Sequence, residues 1–141
     1  MINHYLKRIL LCFSLAYISP IVVAQDNLSQ ALAPTLSVSG EMTTDKFTQL
    51  ISQGFKTVIV NRPDQEVGNL VSVSQLRDIA EKKRIGVIYQ PVKSGNINQT
   101  DIKEFAQYYN ELPKPILMVC KTGARSASLY AQAKKQGLLN E

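Results

Sequence analysis

Three short apolar runs decide what this chain can fold into. Residues 56–60 (KTVIV), 85–90 (IGVIYQ) and 116–119 (ILMV) are too short for buried helices and rich in β-branched side chains. Turn formers bound them, with Asn61-Arg62-Pro63-Asp64 after the first and Pro91 after the second. That is the pattern of short buried strands. The segments between them have helical spacing. Phe47, Leu50 and Ile51 share one face of residues 44–53, with Gly54 placed as a C-cap. Leu76, Ile79 and Ala80 follow a cap at Ser72 or Ser74, and Ile102, Phe105, Ala106 and Tyr109 follow Thr100 and Asp101. Residues 125–136 complete the alternation as a last helix. Strands alternating with helices predict a single α/β domain: a central, mostly parallel sheet with helices on both faces. Ligands of such sheets bind beyond the carboxyl ends of the strands, which points to the residues after Val60, Gln90 and Val119.

The N-terminus has a different character. Lys7 and Arg8 precede an apolar stretch over residues 9–24, broken only by Ser14, Ser19 and Pro20, that ends in Val22-Val23-Ala24 before polar Gln25. A basic start, a short apolar run and a small residue at its end predict a secretory signal peptide over residues 1–24, cleaved after Ala24. The stretch is shorter than the about 20 residues a membrane span requires, so no stable span is expected after cleavage. The mature protein is then periplasmic or secreted, with residues 25–35 as a polar spacer containing Pro34 and residues 36–141 as the folded domain.

Cleavage narrows the chemistry. The whole chain has 16 Lys plus Arg against 11 Asp plus Glu, but Lys7 and Arg8 leave with the leader. The remainder is mildly basic, without a block of like charge, so no nucleic-acid partner is expected. The only His (His4) and one of the two Cys (Cys12) leave as well, and Cys120 stays as a lone thiol. No Ser-His-Asp triad, no Cys-His pair, no zinc site and no intramolecular disulfide can be built from what remains. An odd thiol in an exported chain is a reactive group or an intermolecular partner.

Cys120 opens the segment Cys120-Lys121-Thr122-Gly123-Ala124-Arg125-Ser126, between an apolar strand and an amphipathic helix. A short loop at a helix N-terminus directs several backbone N–H groups into one cavity, and the helix dipole adds positive potential. Gly123 permits a turn that a bulkier residue resists, and Arg125 brings a planar fork suited to an oxyanion. A Cys in such a place is held as thiolate, a nucleophile aimed at a small anionic substrate. Ser126 either starts the helix or hydrogen-bonds the sulfur. Arg62 and Asp64 are expected to hold the turn after the first strand as a local ion pair, with Arg62 lining the pocket as the alternative. Asp101 is expected to serve its helix N-terminus, with a general-acid role as the alternative. No cofactor is called for.

The signature Cys-x-x-Gly-x-Arg-Ser resembles the active loop of rhodanese-type sulfurtransferases, whose Cys carries a persulfide. A wider set of segments is similar to the phosphatase-like domain of beta-lactamase hydrolase-like proteins. These are Gly54-Phe55-Lys56, Asn61-Arg62-Pro63-Asp64, Tyr89-Gln90-Pro91-Val92, Leu112-Pro113-Lys114-Pro115 and residues 120–127, covering about residues 35–137. The resemblance implies a protein tyrosine phosphatase-like fold of four or five strands, with Cys120 as nucleophile and Arg125 as anion clamp.

Two departures from tyrosine phosphatases matter. Only four residues separate Cys120 from Arg125, where those enzymes have five. Their general-acid position is matched here by Lys93-Ser94-Gly95. Sulfur transfer needs no such acid, because a sulfite-like group leaves as a stable anion. The sequence alone therefore favours an exported persulfide-forming sulfurtransferase. Phosphomonoester hydrolysis through a phosphocysteine is the second expectation, and a non-catalytic anion-binding module the third.

Overall fold

A computed structural model of the chain describes residues 27–141, so the expected signal peptide lies outside the described residues. Five strands form one sheet: β1 (Gln30–Ala33), β2 (Leu36–Ser39), β3 (Thr57–Val60), β4 (Gly86–Tyr89) and β5 (Ile116–Val119). Their order is β1-β2-β5-β3-β4, with β1 antiparallel and every other neighbouring pair parallel. The helices are α1 (Thr44–Ile51), α2 (Val73–Glu81), α3 (Gln99–Glu111) and α4 (Ala124–Lys135). Among the described residues no helix is long and apolar enough to cross a membrane.

The central strands β3 and β5 are buried at every position, which is why they read as unbroken apolar runs. Their side chains still alternate between two cores. Ile59, Ile116 and Met118 join Leu36, Val38, Phe105, Tyr109 and Leu129 under α3 and α4. Val58, Val60, Leu117 and Val119 join Phe47, Leu50, Leu76 and Ala80 under α1 and α2. Helices thus cover both faces, as the strand–helix alternation requires.

Caps fix where the helices begin. Thr43 accepts from Lys46 N ahead of α1, and Ser72, not Ser74, caps α2 in a reciprocal arrangement with Gln75. Asn98 caps α3, one residue before the helix and two before Thr100, while Asp101 is its reciprocal partner at the third helical position.

Two expectations are corrected. The segment read as a spacer over residues 25–35 contains strand β1, which turns at Pro34-Thr35 to pair with β2. Gln30 and Ala31 are exposed and only Leu32 and Ala33 pack against the core, so a four-residue edge strand was not separated from the polar residues before it. The run 85–90 is β4 at the opposite edge, half-buried rather than buried, because it has a neighbour on one side only.

The parallel registers pair Ser39 with Val119, Val60 with Val119 and Val60 with Tyr89. The carboxyl ends of β2, β5, β3 and β4 therefore line up along one edge of the sheet. Phe105, fully buried between the sheet and α4, tests this packing. Phe105→Ala is expected to lower the unfolding free energy by roughly 3–5 kcal/mol in urea titration, and a loss under 1 kcal/mol would contradict the assignment.

Candidate active site: an anion loop at the end of the central strand

Cys120 follows the last residue of β5 and is 1% exposed. Its N–H donates to Ser39 O at 3.2 Å, which ties the start of the loop to the end of β2. The chain then reverses within three residues into α4, whose N-cap is Gly123 at φ 89°. Glycine adopts this left-handed conformation without steric cost. The cap offers no side-chain acceptor of its own; Ala124 N–H donates to Thr122 Oγ1 at 3.3 Å instead. A second glycine allows the close approach of β2: a Cβ at Gly40 would stand 3.1 Å from both Lys121 O and Thr122 Cα.

The sulfur sits inside this turn. Gly123 N–H donates to Cys120 Sγ at 3.1 Å. Burial pushes the Cys120 thiol up, but the amide and hydroxyl of Ser126 and the amides of Thr122 and Gly123 outweigh it, so the thiol lies below its ordinary value. Hydrogen bonds of this kind favour the charged form of a thiol.

Arg125, in the first turn of α4, is held on two sides. Its Nη1 donates to Val92 O at 2.8 Å and to Asn61 O at 3.4 Å, and its Nη2 meets Glu66 Oε1 at 2.7 Å. Its Nε is buried without a hydrogen-bond partner among the described residues. Glu66 in turn meets Arg62: Nε and Oε2 are 2.8 Å apart, an ion contact poorly aligned as a hydrogen bond. Arg62 also reaches Glu41 at 2.8 Å and Val67 O at 3.2 Å. A pair of buried guanidiniums thus shares one carboxylate.

A cleft of about 320 Å³ opens over the loop, with Ser94, Gly95 and Ile97 facing Cys120, Lys121 and Arg125. A larger hollow of about 590 Å³ lies beyond Thr122 and Gly123, against β1, β2 and Lys46; neither Cys120 nor Arg125 lines it.

The structure therefore brings Cys120, Lys121, Thr122, Gly123, Ala124, Arg125 and Ser126 together, as the spacing of one loop must. The other three candidates sit elsewhere. Arg62 pairs with Glu41 and Glu66 rather than Asp64, and lies behind the cleft, acting on it only through Glu66. Asp64 Oδ1 accepts from Val73 N at 2.8 Å and its N–H donates to the Tyr89 hydroxyl at 2.8 Å, so its carboxylate serves the start of α2. Asp101 Oδ2 accepts from Asn98 N at 3.0 Å, the capping use expected of it. Sequence reasoning missed Glu66, Asn61 and Gln90. Asn61 and Gln90 stand at the strand ends, where a ligand site was expected.

The thiolate site has a thermodynamic signature. A thiol whose folded-state value is depressed adds nothing to stability at low pH, where folded and unfolded chains are both protonated. Its contribution grows as pH rises from the folded value toward the unfolded one, near about 8.5, and is lost again as pH falls. The stability difference between wild type and Cys120→Ser, from urea unfolding at several pH values, is expected to grow in favour of wild type across that window. A difference independent of pH would contradict the thiolate assignment.

Known proteins share the fold. The family described as the beta-lactamase hydrolase-like protein, phosphatase-like domain, matches residues 29–137. A beta-lactamase hydrolase-like protein of Agrobacterium fabrum is 32% identical over 95 residues, 67% of this chain and 22% of that protein. The chain thus spans about a fifth of the length of the curated relatives it matches. A crystal structure of a candidate phosphatase from Neisseria meningitidis superposes with a TM-score of 0.70 at 28% identity, covering 78% of each chain. The core catalytic domain of a PP-IP phosphatase from S. cerevisiae shares the fold at 16% identity and a TM-score of 0.61, over 76% of this chain and 64% of that one. Tk-PTP shares the fold at 19% identity and a TM-score of 0.53, while the family match and the Neisseria neighbour support a phosphatase-type enzyme. The chain belongs to the family of phosphatase-like domains of beta-lactamase hydrolase-like proteins.

Proposed function

We propose that the domain hydrolyses phosphate monoesters through a phosphocysteine on Cys120. The observation that carries this reading is the sulfur held 3.1 Å from Gly123 N, inside a helix-terminal turn whose cleft is also lined by Arg125. In the first step Sγ attacks phosphorus, the S–P bond forms and the ester P–O bond breaks, its electron pair leaving with the alcohol oxygen. The non-bridging oxygens take the loop amides and Arg125 as partners, donors fixed before the charge develops. In the second step water attacks phosphorus, the S–P bond breaks, and the electron pair returns to Sγ, which the same amides stabilise.

The loop opposite Cys120 limits the substrates. Residues 93–98 (KSGNIN) carry no carboxylate, Asp101 is engaged at its cap, and Glu66 and Glu41 are ion-paired. A leaving oxygen is then not protonated as it departs, so esters whose alcohol is acidic, such as aryl phosphates, are favoured over alkyl phosphates. That same feature, with the four-residue Cys–Arg spacing, supports a second reading as a persulfide-forming sulfurtransferase, in which Sγ attacks the outer sulfur of thiosulfate and sulfite leaves.

Phosphate release from an aryl phosphate is expected to vanish in Cys120→Ser. It is expected to fall about a hundredfold to a thousandfold in Arg125→Lys, which loses the planar fork, and to persist in Asp101→Asn. Undiminished hydrolysis by Cys120→Ser would overturn both readings. Cys120-dependent conversion of thiosulfate and cyanide to thiocyanate, without phosphate release, would establish the second in place of the first.

A further inference from the structure

Behind the sulfur lies a buried chain of polar side chains that the proposed steps do not use. Asn61 is fully buried at the residue after β3, its N–H donating to Val119 O at 2.8 Å. Ser126 is also fully buried, and its hydroxyl donates to Asn61 Oδ1 at 2.8 Å. Asn61 Nδ2 donates to Gln90 O at 3.1 Å and to Gln90 Oε1 at 3.4 Å, and Gln90 Nε2 donates to Asp101 O at 2.9 Å. The orientation of the Asn61 amide follows from this chain. Two acceptors of Gln90 face one end, so the NH2 group must lie there, and the carbonyl oxygen must face Ser126. The Ser126 hydroxyl has one proton to give, and hydrogen bonding from it is also one of the causes that hold the Cys120 thiol down.

We propose that Asn61 is a positioning residue for the chemistry at Cys120, its fixed side-chain oxygen competing with the sulfur for the single proton of Ser126. This rests on the reading of Cys120 as a thiolate nucleophile. A free thiolate is the stronger acceptor and draws the proton. Once sulfur is bonded to phosphorus its negative charge is gone, and Asn61 Oδ1 takes the proton, so the buried hydroxyl is never left without a partner. When the S–P bond breaks and the electron pair returns to sulfur, the hydroxyl turns back. Gln90 keeps Asn61 from following it.

The charged groups lining the cleft beside the sulfur are Lys121 and Arg125, with Glu66 paired to Arg125. Asn61 is neutral, so replacing it by another neutral residue changes the sulfur only through hydrogen bonding.

The test is the pH dependence of Cys120 alkylation by iodoacetamide in the full chain, followed on the Cys120 peptide by mass spectrometry so that Cys12 does not contribute. Asn61→Ala removes the competitor, and at a fixed pH below the midpoint alkylation is expected to rise by about threefold to tenfold, one neutral hydrogen bond's worth. Asn61→Asp keeps the shape, adds a stronger acceptor and a negative charge, and is expected to move the midpoint the other way; it carries the test if the alanine variant does not fold. In a Ser126→Ala background Asn61→Ala is expected to have no effect. Shifts in the same direction for both variants, no shift in either, or an equal Asn61→Ala shift without the Ser126 hydroxyl would overturn the inference. A wild-type Cys120 titrating at the ordinary thiol value would instead overturn the nucleophile reading itself.

Discussion

The reversal from β5 into α4 is the constraint on which the rest of the site depends. A fully buried parallel strand delivers Cys120 to the sheet edge with no room to wander, because Val119 is locked between β2 and β3. Gly123 then turns the chain at φ 89° so that amides point inward at the sulfur rather than outward to water. A side chain at this position would bring both backbone strain and a Cβ 3.4 Å from Val38. The burial that would ordinarily push a thiol up is outweighed by those amides and by Ser126, so the Cys120 thiol lies below its ordinary value without a histidine among residues 27–141.

Holding Arg125 beside that sulfur creates a problem of its own, since a buried cation needs counter-charge and full hydrogen bonding. The segment between β3 and α2 resolves it. Glu66 bridges Arg125 and Arg62, Arg62 is satisfied in turn by Glu41 and Val67 O, and Asn69 Nδ2 closes the segment on Asp64 O at 3.2 Å. Because Glu66 and the carbonyls of Val92 and Asn61 engage the two terminal nitrogens, the guanidinium cannot swing away. Arg62 supports the site without entering it.

How much of this could be read in the sequence follows from what hydrophobic pattern reports. Strands β3 and β5 and the helical faces were legible because each residue's burial is written locally in its side chain. So was the Cys120 loop, where strand, turn and helix start are contiguous. Strand β1 was not legible, since four residues with two of them exposed give too weak a pattern, and neither was the half-exposed character of β4. Pairings across the chain were hidden altogether. Glu66 lies 59 residues from Arg125 and Asn61 lies 65 from Ser126, separations that periodicity does not connect. The ligand-site rule for parallel sheets singled out the strand ends, yet it favoured the charged Arg62 over the neutral Asn61 beside it. Asp64 was misread for a related reason: its carboxylate is consumed by the N–H of Val73, nine residues on.

The most direct test is rapid mixing with an aryl phosphate followed by acid quench and mass analysis of the Cys120 peptide. A single phosphoryl group on Cys120, appearing before free phosphate accumulates and discharging with time, is the expected result. Phosphate released while Cys120 is never modified would contradict the nucleophile assignment.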